Sequence, residues 1–171
     1  MMSRFLTALL ACATLLAPLS TLAAPEPEAE ADAPAVLVVR GAATAGEAPQ
    51  VRTFDDAELA ALPQYGYTVT TPWYPKPQHF EGPLLRDILK AAGLPGRQLS
   101  LRALNDYMIA VPRDDAERYD VIVARKRNGK PMSVRDKGPL FVMYPFDKVP
   151  ALQQTEYFRR CVWQLSEIDL E

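Results

Sequence analysis

The chain has 171 residues with 19 basic and 21 acidic side chains, and its formal charge of −2 excludes nucleic-acid binding through bulk positive charge. Its two cysteines are Cys12, in an apolar N-terminal run, and Cys161. Because we expect Cys12 to leave with that run, an internal disulfide is excluded for the mature protein.

The N-terminal segment predicts export. Arg4 is followed by apolar residues from 5 to 17 and then by small residues, a pattern typical of a secretory signal peptide over residues 1–23. The single early arginine favours a Sec signal over a twin-arginine signal. A lipoprotein signal at Cys12 is the alternative, but it leaves too few apolar residues ahead of the cut. We therefore expect a periplasmic or secreted protein without membrane insertion after cleavage.

An acidic segment rich in alanine and proline follows at residues 24–35, and its composition predicts a disordered leader. The folded domain is predicted over residues 36–171, a length that suffices for one hydrophobic core. No internal repeat occurs in it.

The first half of the domain begins with strands over VLVV and VRTF. A short helix follows, for which Asp55 can act as N-cap, Glu58 completes a capping box and Pro63 ends the element. YGYTVTT indicates another strand. The three- and four-residue apolar spacing over residues 84–92 then indicates an amphipathic helix that ends at Gly93.

The second half reads mainly as strands. LSLRAL and MIAVP flank the turn sequence LNDY, and Asn128-Gly129 predicts the turn of a β-hairpin. GPLFVMYP indicates a strand, and YFRRCVWQLSEIDL is interpreted as a last strand that carries Cys161 and Trp163. With about eight short strands and two or three short helices, the sequence predicts an α+β domain with an antiparallel or mixed sheet.

Five motifs occur in a familiar order between roughly residues 54 and 170: the helix start FEGPLLRDIL, LNDY, the hairpin RNGKPM, DKGPLFVMYP and a final segment with a tryptophan. This order resembles the oxidoreductase molybdopterin-binding domain, the fold of the sulfite oxidase family. The resemblance implies an α+β fold with a molybdenum–pterin cofactor in a cleft. It also implies that the metal is bound by the cofactor's dithiolene and by one protein cysteine.

Two features depart from that family. Its cysteine ligand lies ahead of the Gly-Pro-Leu helix, here in residues 65–79, where this chain has no cysteine and carries Thr70 and Thr71 at the matching positions. A threonine hydroxyl stays neutral at pH 7 and cannot replace a soft thiolate ligand. Exported enzymes of the family also cross the membrane folded around their cofactor, whereas Sec threads unfolded chains. We therefore expect no molybdenum–molybdopterin cofactor and no metal site.

The candidate binding residues come from three segments: the loop TPWYPKPQH with the threonines before it, the LNDY turn, and the basic segment after the hairpin, which in the family helps to hold the cofactor's phosphate. Each segment also has a purely structural alternative. The first would be a rigid loop at a sheet edge, the second a turn selected for its backbone geometry, and the third a solvated basic hairpin. The full set is Thr70, Thr71, Trp73, His79, Asn105, Asp106, Tyr107, Arg135 and Lys137.

The leading hypothesis is an exported relative of the molybdopterin-binding domain that works without molybdenum. It would bind a small polar or anionic ligand, or a partner such as an envelope sensor protein, in the ancestral cleft, in a sensory or accessory role rather than as an enzyme. No catalytic residues are assigned, since the sequence shows no triad and contains one histidine. The alternatives are a genuine molybdopterin-dependent oxidoreductase and a purely structural interaction module.

Overall fold

The computed structural model describes residues 35–42 and 48–171. The expected signal peptide, and the acidic leader except for its last residue, lie outside the described residues. No helix among those described has the length and apolar character needed to cross a membrane.

The largest sheet is mixed and has five strands. These are β1 (Leu37–Arg40), β2 (Val51–Phe54), β5 (Gln98–Ala103), β6 (Met108–Pro112) and β11 (Leu165–Leu170). They are arranged in the order β2-β1-β11-β5-β6, where β1 and β11 are parallel and all other neighbours are antiparallel. Buried and partly exposed residues alternate strictly along β5, as expected for a sheet that packs one face on the core.

Two smaller antiparallel sheets complete the β-structure. One contains β3 (Gln64–Val69), β4 (Gln78–Pro83), β8 (Lys126–Arg127) and β9 (Lys130–Pro131) in that order, and the other pairs β7 (Ile122–Ala124) with β10 (Phe141–Met143). The β8–β9 hairpin turns at Asn128 and Gly129, with φ of 51° and 76°, which confirms the predicted turn. At Gly82 the backbones of β4 and β7 come so close that a Cβ would lie 2.1 Å from the carbonyl oxygen of Val123.

Four short α-helices lie between the strands: α1 (Asp56–Ala61), α2 (Leu85–Ala92), α3 (Arg113–Arg118) and α4 (Thr155–Arg160). The predicted capping box at the start of α1 is confirmed, since Asp55 and Glu58 bond each other's backbone N–H. α2 ends at Gly93 with φ of 69°, as its sequence indicates. The described residues therefore form an α+β domain, with eleven strands and four α-helices where the sequence indicated about eight and two or three.

The interpretation of the C-terminal segment as one long strand is wrong in its first part. Residues 155–160 form α4, Cys161 follows it, and β11 begins only at Leu165. Glu156 and Arg160 form an ion pair at helical spacing, and Phe158 packs on Phe146 with ring centroids 4.7 Å apart. These contacts stabilise a helix in a stretch whose apolar residues also fit a strand pattern.

Candidate functional site

A pocket of about 360 Å³ lies where three segments meet: the loop after β3, the β5–β6 turn and the chain from α4 to β11. Its volume is near the lower end of the range of about 300–1,000 Å³ that is usual for small-molecule sites. Most of its walls are aromatic or aliphatic. The lining residues are Trp73, Asn105, Tyr107, Thr155, Phe158, Arg159, Cys161, Val162 and Trp163.

Trp73 lies at the centre of the aromatic wall. Its ring meets those of Phe158 and Trp163 edge to face, with centroids 6.0 and 6.1 Å away and interplanar angles of 87° and 81°. It also contacts the fully buried Phe141 at 5.6 Å. Edge-to-face contacts restrict the orientation of all the rings involved, so the wall is preformed and anchored in the core.

The loop that carries Trp73 is held at its start by Asp147. The backbone N–H and the hydroxyl of Thr70 both donate to one carboxylate oxygen of Asp147, at 3.0 and 3.2 Å. Proline at 72, 75 and 77 further restricts the loop backbone. Thr71 is buried, and its hydroxyl has no hydrogen-bond partner among the described residues. Thr70 therefore positions the loop.

The β5–β6 turn forms the opposite side of the pocket. Asn105 accepts a hydrogen bond from the backbone N–H of Tyr107 through Oδ1, at 3.2 Å, and Asp106 adopts a left-handed conformation with φ of 63°. The hydroxyl of Tyr107 donates to the backbone carbonyl of Arg159 at 3.0 Å. This bond joins the turn to α4, and both of its residues line the pocket.

Positive charge lies at the pocket without acidic neutralisation. Arg159 lines it, and the ammonium group of Lys137 lies 4.8 Å from the ring centroid of Trp163. Among the described residues, neither cation has a carboxylate oxygen within 4.0 Å, and no Asp or Glu belongs to the lining. The electrostatics therefore favour an anion.

Cys161 lies at the end of α4 and contributes to the pocket wall, which corrects its expected place on the last strand. It is the one cysteine within the described ranges and is 3 % exposed. Burial raises the pKa of its thiol well above the usual range, an effect that a hydrogen bond from the backbone of Tyr144 offsets only in part. The group therefore stays a neutral thiol at physiological pH.

The resemblance to the molybdopterin-binding domain implies that such a cleft would hold a metal ion. The described part of the chain contains no group of three or more His, Cys, Asp or Glu residues that could hold a metal ion. Thr70 and Thr71, at the positions that match the family's cysteine, carry hydroxyls instead of a thiol and do not line the pocket, whereas Cys161, the one thiol of the pocket wall, is 3 % exposed. The donors at the matching positions therefore do not fit a molybdenum site with a cysteine ligand.

Of the nine residues that the sequence singled out, the structure brings Trp73, Asn105 and Tyr107 together in the pocket, with Lys137 against its wall. The others do not line it. His79 is exposed on β4, with Nδ1 3.3 Å from the hydroxyl of Thr68 on the neighbouring strand. The remaining residues outside the lining are Thr70, Thr71, Asp106 and Arg135.

Sequence reasoning missed the contribution of α4 and the residues after it. Thr155, Phe158 and Arg159 are spaced by three and four residues and therefore lie on one face of a helix. Trp163, which the sequence pattern places on the last strand, also lines the pocket. Reading TEYFRR as a helix would have placed the three residues together, so the missed signal was helical spacing.

A second pocket of about 440 Å³ lies beside the β8–β9 hairpin and is lined mainly by polar hairpin residues. Arg127 is already engaged there, since its guanidinium lies 4.6 Å from the ring centroid of Tyr74 and 3.9 Å from Asp136. Exposed, partly neutralised charges without an aromatic wall are typical of a solvated hairpin. The aromatic pocket is therefore the better candidate site.

Comparison with protein-family models and with curated proteins found no match to this chain. The resemblance to the molybdopterin-binding domain therefore stays a hypothesis that depends on the order of five motifs.

Proposed function

We propose that this protein is an exported binding protein with a sulfite oxidase-like molybdopterin-binding fold, that it works without molybdenum, and that it binds a small polar or anionic ligand in the aromatic pocket. Its role would be sensory or accessory, with an envelope sensor protein as the receiver of the bound state. The observation that carries the proposal is the convergence of Trp73, Asn105, Tyr107 and Arg159 on one preformed pocket.

The polar groups of the pocket support binding rather than catalysis. Amide, hydroxyl and guanidinium groups are poor general acids and bases near neutral pH, and burial favours the neutral form of the one thiol. His79, the single histidine, is exposed on β4 and is not part of the lining. Such groups can orient a ligand through hydrogen bonds and charge.

The placement of the motifs supports the proposed fold. Two of the five line this pocket, since LNDY supplies Asn105 and Tyr107 and the final segment supplies Trp163. A third, DKGPLFVMYP, places Lys137 over the ring of Trp163. The positions that match the family's cysteine, Thr70 and Thr71, lie on the same loop as Trp73, three and two residues before it, and Trp73 lines the pocket. This convergence is the reason for proposing the pocket as the ancestral cleft.

Both tryptophans of the chain line the pocket, so tryptophan fluorescence, excited selectively over the seven tyrosines, reports on it. Protein purified from its own cell envelope would be examined by native mass spectrometry and analysed for molybdenum and pterin. We expect a substoichiometric metal content and a small-molecule adduct that is lost in Trp163→Ala. Stoichiometric molybdenum would contradict the proposal and favour the oxidoreductase, whereas the absence of any adduct and of any fluorescence response to small anions would favour a structural module.

A further inference from the structure

The shape of the pocket walls restricts the body of a ligand. Trp73, Phe158 and Trp163 present ring edges and faces at fixed mutual angles, and Val162 adds an aliphatic surface. Flat rings gain from offset or edge-to-face contact with such walls beyond what burial of their area provides. With about 360 Å³ available, the pocket accommodates a body of one or two rings.

The free polar groups at the pocket are hydrogen-bond donors, so they suit a ligand that accepts hydrogen bonds. Because Asn105 uses Oδ1 to accept from the backbone of Tyr107, its Nδ2 is left to donate. The hydroxyl of Thr155 and the guanidinium of Arg159 add further donors. The hydroxyl of Tyr107 is already committed to the carbonyl of Arg159. A ligand group that only accepts hydrogen bonds satisfies these donors best.

The positive charge at the pocket excludes organic cations, which are the usual ligands of aromatic cages. Aromatic boxes commonly bind organic cations through the ring faces. Here Arg159 lines the pocket with a positive charge, and Lys137, outside the lining, places a second one 4.8 Å from the ring centroid of Trp163. A cationic ligand would be repelled by both, while the planar fork of Arg159 matches a carboxylate bidentately.

From these features, and on the basis of the proposed binding function, we infer that the pocket takes a planar aromatic compound with one carboxylate. The ring lies among Trp73, Phe158 and Trp163, and the carboxylate meets Arg159 with Lys137 nearby. Asn105 and Thr155 supply hydrogen bonds that fix the orientation of the charged group.

Isothermal titration with four probes separates the parts of this inference. Phenylacetate has both the aromatic ring and the negative charge. Phenylacetamide lacks the charge, cyclohexylacetate lacks the planar ring, and inorganic phosphate has charge but no ring. We expect saturable binding of phenylacetate, with phenylacetamide about tenfold weaker and cyclohexylacetate about threefold weaker. Phosphate should show no saturable binding.

Two matched variants locate the charge effect. Arg159→Gln should remove the preference for phenylacetate over phenylacetamide while leaving the thermal midpoint unchanged, because Arg159 is exposed and has no acidic partner within the described part of the chain. Arg97→Gln removes the same charge just before β5, about 20 Å along the strand from the Asn105 turn, and should leave the preference intact.

The outcomes distinguish the inference from the proposed function. Equal binding of phenylacetate and phenylacetamide would overturn the anionic class and leave a pocket that binds neutral rings. Equal binding of cyclohexylacetate would overturn the planar body. Saturable binding of phosphate alone would support a small inorganic anion and overturn the aromatic class. No saturable binding by any probe at millimolar concentration would overturn the inference, and the native adduct that is lost in Trp163→Ala would then decide the small-ligand function separately.

Discussion

Two adjacent arginines on α4 have opposite environments. Arg160 donates to the buried carboxylate of Asp115 at 2.7 Å and pairs with Glu156, and its side chain is only 12 % exposed. Tyr144 donates to the same oxygen of Asp115 at 2.8 Å. Arg159, the preceding residue, is exposed at the aromatic pocket and has no carboxylate partner among the residues described.

The difference separates stability from binding on one short helix. The cluster of Asp115, Tyr144 and Arg160 joins α3, the end of β10 and α4, and its polar atoms satisfy one another. Burying such a group without its partner costs several kcal/mol, so the cluster is constrained as a unit. An unpaired exposed arginine contributes little to stability and is free to contact a ligand. α4 therefore has a structural side and a functional side.

The largest expected effect comes from Asp115→Ala. This change leaves the buried guanidinium of Arg160 and the hydroxyl of Tyr144 without their shared acceptor, so we expect the free energy of unfolding to fall by about 3–5 kcal/mol. Urea denaturation followed by circular dichroism measures it. Asp114→Ala, at the exposed neighbouring position of α3, should change the value by less than about 0.5 kcal/mol. Equal effects of the two variants would contradict the structural role of the cluster.

Arg160→Ala and Arg159→Ala test the two sides of α4 directly. Removing Arg160 leaves Asp115 with only the Tyr144 hydroxyl, and we expect a loss of about 2–3 kcal/mol in the free energy of unfolding. Arg159→Ala should cost less than about 0.5 kcal/mol but weaken phenylacetate binding about tenfold. If Arg159→Ala proved the more destabilising of the two, the assignment of the sides would be reversed.

Asp147→Ala tests whether the loop carrying Trp73 is positioned from outside the pocket. The change removes both hydrogen bonds from Thr70, and because these are exposed we expect a stability loss of only about 1 kcal/mol. Phenylacetate should bind several-fold more weakly with the same preference over phenylacetamide, since Arg159 is untouched. Unchanged affinity would show that the proline residues alone hold the loop.

Local chemistry explains which elements the sequence could predict. The β8–β9 hairpin depends on Asn128 and Gly129, which accept positive φ at little cost, and α1 depends on the Asp55–Glu58 capping box. Each of these signals lies within a few residues of the chain. No distant contact is needed to specify them.

The pocket could be predicted only in part because it joins segments that are far apart in sequence. Trp73 and Tyr107 could be predicted because each lies in a segment whose local sequence, proline-rich or turn-forming, already indicates an exposed loop. Arg159 was missed because YFRRCVW satisfies a strand pattern as well as a helical one. Contacts of Tyr157 with Tyr144 at 5.7 Å and of Phe158 with Phe146 at 4.7 Å favour the helix, and no local pattern reveals them.

The smallest expected effect concerns alkaline pH and the structural side of α4. Burial, reinforced by the Asp115 carboxylate, raises the pKa of the Tyr144 hydroxyl far above its ordinary value of 10.0. Above pH 10 the unfolded state loses this proton while the folded state keeps it, so the stability present below pH 10 falls as the pH rises. Between pH 8 and 10.5 we expect Tyr144 to account for about 0.8 kcal/mol of lost unfolding free energy.

Urea midpoints of Tyr144→Phe should therefore decline less steeply with pH than those of the parent, whereas Tyr65→Phe, which removes an exposed hydroxyl, should follow the parent. Parallel pH profiles for Tyr144→Phe and the parent would mean that the Asp115 cluster opens in alkali before Tyr144 ionises.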